Sequence, residues 1–290
     1  MKNRLRKIKR YMAMLLLAAL LTANMGSLTV LAAANMTPTY EVKFMLDSDE
    51  VLNNSHLLKK EYRKLFDTGS DYETMGILYL DTKARDFNSQ GWINRIRIKE
   101  GESNFELTYK KRYSIQNGDI QSALTLANKE GFDATDTNYE AEVDWGYSKM
   151  TLSLSCKKEK SNKGYDDLEL PKKSAAIDMI KDKMPGKEKD WLYGNWGKKT
   201  IDDAKKAGPV YSYKYKGDFE GKKISVEIVP VENQATGVTS YITEISFKAD
   251  NYAEANSIRT DLMNYLDELG ILEHRDSLKT QMVLDAYLNN

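Results

Sequence analysis

Residues 92–99 read Trp-Ile-Asn-Arg-Ile-Arg-Ile-Lys. In an extended chain successive side chains point to opposite faces, so Arg95, Arg97 and Lys99 share one side and Ile96 and Ile98 the other. The pattern recurs with both signs. Glu106, Thr108 and Lys110 fall together, as do Glu140, Glu142 and Asp144, Lys214 and Lys216, Ser225 and Glu227, and Glu41 and Lys43. One such strand is a sheet with a solvated face. Many, basic and acidic, admit two designs. An exposed ion-pair lattice contributes little stability. A closed sheet lined with both signs is costly unless the charges are paired or ligated. A polyphosphate with a divalent cation supplies such partners: basic side chains take phosphate oxygens and carboxylates hold the metal. Spacing alone leaves both designs open.

Charge totals conceal this patterning. The 290 residues carry 43 basic and 43 acidic side chains. Six of the basic ones, Lys2, Arg4, Arg6, Lys7, Lys9 and Arg10, lie in the first ten positions, before an apolar run over 11–21 and a small-residue end at Ala32-Ala33-Ala34. This is the pattern of a secretory signal peptide over residues 1–34, with cleavage after Ala32 or Ala34. An uncleaved anchor over 11–34 is the alternative. Thr22, Asn24 and Ser27 interrupt that run, so a stable membrane span is not expected. The long basic start resembles that of a Gram-positive exported protein, which implies a secreted or cell-surface location. Losing those six cations leaves the mature chain net acidic by six, which argues against generic nucleic-acid binding.

A single cysteine, Cys156, excludes an intrachain disulfide and any Cys-based metal cage. The two histidines, His56 and His274, lack metal-ligand spacing, and no GxxxxGK[ST] phosphate loop occurs. The mature chain reads as one domain, 35–290. Strands are expected at 39–46, 74–79, 92–99, 104–111, 138–144, 149–156, 210–216, 222–229 and 241–248, with turns at Asn117-Gly118 and Gly217-Asp218. Helices are expected at 49–66, 120–128, 174–183, 188–193, 252–269 and 277–288, all outside the sheet, and 157–173 reads as a surface excursion.

These segments resemble, in order, the CYTH superfamily, the triphosphate tunnel fold of bacterial adenylate cyclases and of thiamine and inorganic triphosphatases. The resemblance runs from Thr39-Tyr-Glu-Val-Lys-Phe44 through Tyr79-Leu-Asp-Thr82, Arg95-Ile-Arg97-Ile-Lys99, Phe105-Glu-Leu-Thr-Tyr-Lys110, Tyr139-Glu-Ala-Glu142 and Tyr213-Lys-Tyr-Lys216 to Tyr241-Ile-Thr-Glu244. It implies an α+β fold: an eight-stranded antiparallel β-barrel forming a tunnel, with surrounding helices. One position departs from the pattern. The family's opening strand carries two glutamates before its lysine, and here the first position is Thr39. The insertions at 117–135 and 157–208 also exceed a minimal triphosphatase.

The resemblance assigns Lys43, Arg95, Arg97, Lys110, Lys214 and Lys216 to a triphosphate or polyphosphate anion. It assigns Glu41, Glu140, Glu142, Glu227 and Glu244 to Mg²⁺ or Mn²⁺, with Glu41 and Glu142 also catalytic. The implied activity is exported, metal-dependent hydrolysis of triphosphate or short polyphosphate. The alternative is a secreted module that binds phosphate or polyphosphate without turning it over.

Overall fold

The computed structural model describes residues 33–276 and 279–289. The expected signal segment, apart from its last two residues, lies outside them. Among the described residues there are ten strands: β1 (Thr39–Leu46), β2 (Glu73–Asp81), β3 (Trp92–Lys99), β4 (Asn104–Ile115), β5 (Glu140–Trp145), β6 (Met150–Ser161), β7 (Lys205–Phe219), β8 (Lys222–Glu232), β9 (Thr239–Ala249) and the two-residue β10 (Leu272–Glu273). The helices are α1 (Ser48–Val51), α2 (Lys60–Leu65), α3 (Asp86–Ser89), α4 (Ile120–Lys129), α5 (Lys173–Lys183), α6 (Gly186–Lys189), α7 (Trp196–Thr200), α8 (Tyr252–Glu268) and α9 (Lys279–Leu288).

The strands run β1-β5-β6-β4-β3-β2-β7-β8-β9, and β9 pairs back onto β1 to close the sheet. The barrel therefore has nine strands where eight were expected. Nor is it wholly antiparallel: β1 and β5 run parallel, Thr39 opposite Glu142 and Glu41 opposite Asp144. Closure removes the unpaired edges that an open sheet would expose. Strand β10 pairs only with the last two residues of β1.

Alternation sorts each strand into two faces. On β1, Val42, Phe44 and Leu46 point outward and are fully buried. They join one large cluster with Ile96 and Ile98 of β3, Val143 of β5, Ala176 and Ile180 of α5, and Leu262 and Leu266 of α8. The apolar core thus lies between the barrel and its helices. Trp92, Trp145 and Trp196 belong to it: Trp92 meets Trp191 edge-on at 5.5 Å, Trp145 stacks on Tyr252 at 5.2 Å and Trp196 meets Phe87 edge-on at 5.1 Å. The opposite faces, carrying Glu41, Lys43, Arg95, Arg97 and Lys110, line the lumen.

One helix is not outside. The residues Val283, Leu284, Ala286 and Leu288 of α9 pack in a second cluster with Met45, Ile77, Tyr79, Val229 and Ile242. These partners alternate in register with lumenal charges: Met45 follows Lys43 by two, Val229 follows Glu227 by two, and Ile77 and Tyr79 lie opposite Arg97 and Arg95. Helix α9 therefore plugs one end of the barrel.

Other local differences have physical causes. The helix expected over 49–66 splits into α1 and α2 because Asn53 Oδ1 accepts from the Ser55 and Leu57 amides, closing a turn. Strand β6 continues to Ser161, paired with β4 as far as Asn104, through the start of the expected excursion. The turn expected at Gly217-Asp218 lies at Glu220-Gly221, both at positive φ. Gly217 instead sits inside β7, where a Cβ would lie 2.1 Å from the Phe66 carbonyl oxygen. Among the described residues no helix is long and apolar enough to cross a membrane.

Candidate functional site

The lumen's acidic centre is built where β1 and β5 run side by side. Glu41, Glu142 and Asp144 bring carboxylate oxygens within 4.8 Å of one another. Two lysines pair with them: Lys43 Nζ lies 2.6 Å from both Glu41 Oε2 and Asp144 Oδ1, and Lys248 of β9 pairs with Glu142. Burial raises the Glu41 carboxyl, but Lys43 and then Lys248 outweigh it and pull it down to about 2. Burial acts against the Lys43 ammonium, yet Asp144 and Glu41 hold it well above the usual lysine range. Asp144 likewise stays well below the carboxylate range despite burial, held by Lys110, Lys43 and Arg112. Ser153 Oγ donates to its other oxygen at 2.5 Å.

A basic row adjoins this centre. Lys110 Nζ stands 3.9 Å from Asp144 Oδ2. Burial lowers the Lys110 ammonium to about 8, with Asp144 pulling the other way. On β3, Arg97 NH2 lies 2.5 Å from Glu106 Oε1, and Arg95 NH2 3.8 Å from the same oxygen. Burial and then Arg95 lower Arg97, while Glu106 raises it. Lys214 on β7 is lowered by burial and raised by Glu227 and Glu41. Arg97, Lys110 and Lys214 thus hold positive charge at a desolvation cost that an anion in the lumen would offset.

Four expected site residues lie apart from these two sets or are already paired with another charge. Glu140 shares the face of Glu142 but stands at the barrel mouth, exposed and paired with Lys157 at 2.8 Å. It does not join the acidic centre because the β1–β5 register sets Asp144 opposite Glu41 and Glu142 opposite Thr39, which leaves Glu140 beyond the paired stretch. Glu227 and Glu244 are lumenal and buried, but the cation between them is Lys279 of α9, 2.5 Å from Glu227 Oε2 and 3.2 Å from Glu244 Oε1. Lys216 is exposed at the mouth and paired with Glu73.

Asp144 takes the place expected of Glu140. Alternation puts it on that face, two residues after Glu142. Lys248 follows Glu244 by an even step and was readable in the same way. Lys279 carried no signal, since a lysine opening a C-terminal helix looks like any solvated charge. Thr39 is exposed, directly opposite Glu142.

The donor chemistry of the acidic centre fits a hard divalent ion: three carboxylates close together, with no sulfur or imidazole. No family model matches the chain and no curated protein matches it. Among solved structures, a candidate adenylyl cyclase from Hippeastrum with a dominant triphosphatase activity is 13% identical, with a TM-score of 0.50 over 85% of this chain and 95% of that one. A candidate adenylate cyclase from Bacillus halodurans is 14% identical, with a TM-score of 0.47 over 85% and 98%. A Pyrococcus horikoshii protein is 18% identical, with a TM-score of 0.41 over 84% and 98%. The first bears on the fold alone. The chain shares its overall fold with the Hippeastrum protein, and the lumen of its barrel contains an acidic cluster able to hold a metal ion.

Proposed function

We propose that the chain is an exported, metal-dependent hydrolase of the terminal phosphoanhydride of triphosphate or short polyphosphate. The observation that carries this reading is the meeting of two charge sets in one lumen: Lys110, in the basic row, is 3.9 Å from Asp144, in the acidic centre. A polyphosphate needs both, cations for its oxygens and carboxylates for its counter-ion.

Arg95 and Arg97 would take phosphate oxygens through their planar forks, and Lys110 and Lys214 would act as point charges. Glu41, Glu142 and Asp144 would hold Mg²⁺ or Mn²⁺. Such an ion offsets phosphate charge and polarises water. Lys43 would then exchange its carboxylate partners for a phosphate oxygen. The surrounding helices and the α9 plug keep water from the outer face and one end, which strengthens every charge interaction inside. A net acidic protein can still attract an anion when its cations are focused in a cleft.

A second reading, anion binding without turnover, is favoured by two observations. Thr39 stands where the family's pattern has a glutamate, and lysines already pair with the three carboxylates. Incubating the protein with tripolyphosphate, long polyphosphate and ATP, each with Mg²⁺ or Mn²⁺, separates the two. Phosphate release supports the hydrolase. A raised melting temperature with no release supports the binding module, and Thr39→Glu then tests whether that position accounts for the silence.

A further inference from the structure

Glu227 and Glu244 face each other directly across the β8–β9 ladder. Both are buried. Like charges in that arrangement repel strongly unless a cation lies between them. Here the cation belongs to the chain. Lys279 reaches both, at 2.5 Å and 3.2 Å. Its position is not adjustable in the way a surface lysine's is, because the rest of α9 is anchored in the apolar end of the barrel through Val283, Leu284 and Leu288. Burial disfavours the ammonium, but Glu227 and then Glu244 raise it above the usual lysine range. Burial likewise raises Glu227, while Lys279 brings it down to about 2. All that geometry describes a cation site whose cation is tethered.

We propose that Lys279 is a built-in cation filling a two-carboxylate site, so that this end of the lumen takes no metal ion in the intact protein. Its removal would turn Glu227 and Glu244 into a divalent-ion site. An ammonium supplies one charge and up to three donors. A divalent ion supplies two charges and takes carboxylate oxygens as ligands at about 2.0–2.6 Å, a little inside the ammonium's reach. Lys279 would also couple the plug to the lumen's charge: withdrawing the helix would take away the ammonium that reaches both carboxylates, leaving Glu227 facing Lys214 and Glu244 facing Lys43. This inference does not depend on hydrolysis or on the Glu41, Glu142, Asp144 centre.

The test counts bound Mn²⁺ by electron paramagnetic resonance in the full chain. Lys279→Met is expected to bind one more Mn²⁺ per chain than the wild type, and adding Glu227→Gln to it is expected to remove that ion. An equal count in folded Lys279→Met and wild type overturns the proposal. So does loss of an ion when Glu227→Gln is made in the wild type, which would mean that a metal already sits there. If Lys279→Met melts too low for counting, its melting temperature is read. A larger rise with Mn²⁺ than in the Lys279→Met, Glu227→Gln double variant supports the proposal, and an equal rise overturns it. A wild-type count of zero would sink the three-carboxylate metal site and leave this test intact, because it reads a difference.

Discussion

Arg97 and Glu188 show what burial does to a charge with a partner and to one without an opposite charge. Arg97 keeps Glu106 at 2.5 Å inside a polar lumen. Arg97→Ala is expected to weaken tripolyphosphate binding by roughly 10- to 100-fold, the value of one charged hydrogen bond. Calorimetric titration checks this, and an unchanged affinity would take Arg97 out of the phosphate set. Glu188 on α6 is fully buried outside the barrel, and its Oε1 accepts from Asn94 Nδ2 at 2.7 Å. Its Oε2 has no hydrogen-bond partner among the described residues. Burial pushes this carboxyl up to about 8; the Asn94 hydrogen bond lowers it and Asp81 adds to the rise. Because the folded value exceeds the unfolded one, the folded state binds the proton more tightly. Its stability contribution is full below about 4.5 and is lost as pH rises through about 8, at about 1.4 kcal/mol per pH unit between them. Glu188→Gln is expected to flatten the melting temperature over that window and to melt above the wild type at pH 9. An unchanged slope would contradict the assignment.

The elements were legible where one strand face is apolar and the other charged. Strand β3 follows Trp92–Lys99 as expected because Ile96 and Ile98 must be buried while Arg95 and Arg97 share the opposite face. Helix α9 was legible as a helix but not as a plug. An apolar stripe specifies burial, and the same Val283 and Leu284 would suit the barrel's exterior or its end. The missing information is which apolar surface is left unfilled, and only the closed sheet creates it. If α9 is part of the folded core, Leu284→Ala should cost about 2–5 kcal/mol in urea unfolding. A loss below about 0.5 kcal/mol, with amide exchange in α9 no faster than before, would show the contact to be dispensable.

For the whole molecule, the lumen charges were readable and the resemblance implied a closed barrel, but its closure by nine strands and the pairing that builds the acidic centre were not. Period-two alternation placed Glu41, Lys43, Arg95, Arg97, Lys110 and Glu142 on one face, and the barrel turns those faces inward. The parallel pairing of β1 with β5 joins segments about a hundred residues apart, and no local pattern encodes it. That pairing decides the site: it sets Asp144, not Glu140, beside Glu41. The fold is held by apolar layers outside the barrel and at its plugged end, which leaves the lumen free to be charged. Release of orthophosphate from tripolyphosphate by the mature protein in Mn²⁺ or Mg²⁺ tests the central claim most directly. Turnover is expected, abolished by chelation and reduced at least about 100-fold in Asp144→Asn, the loss of roughly 2.7 kcal/mol of transition-state stabilisation. No release with either metal from a folded protein would contradict the hydrolase.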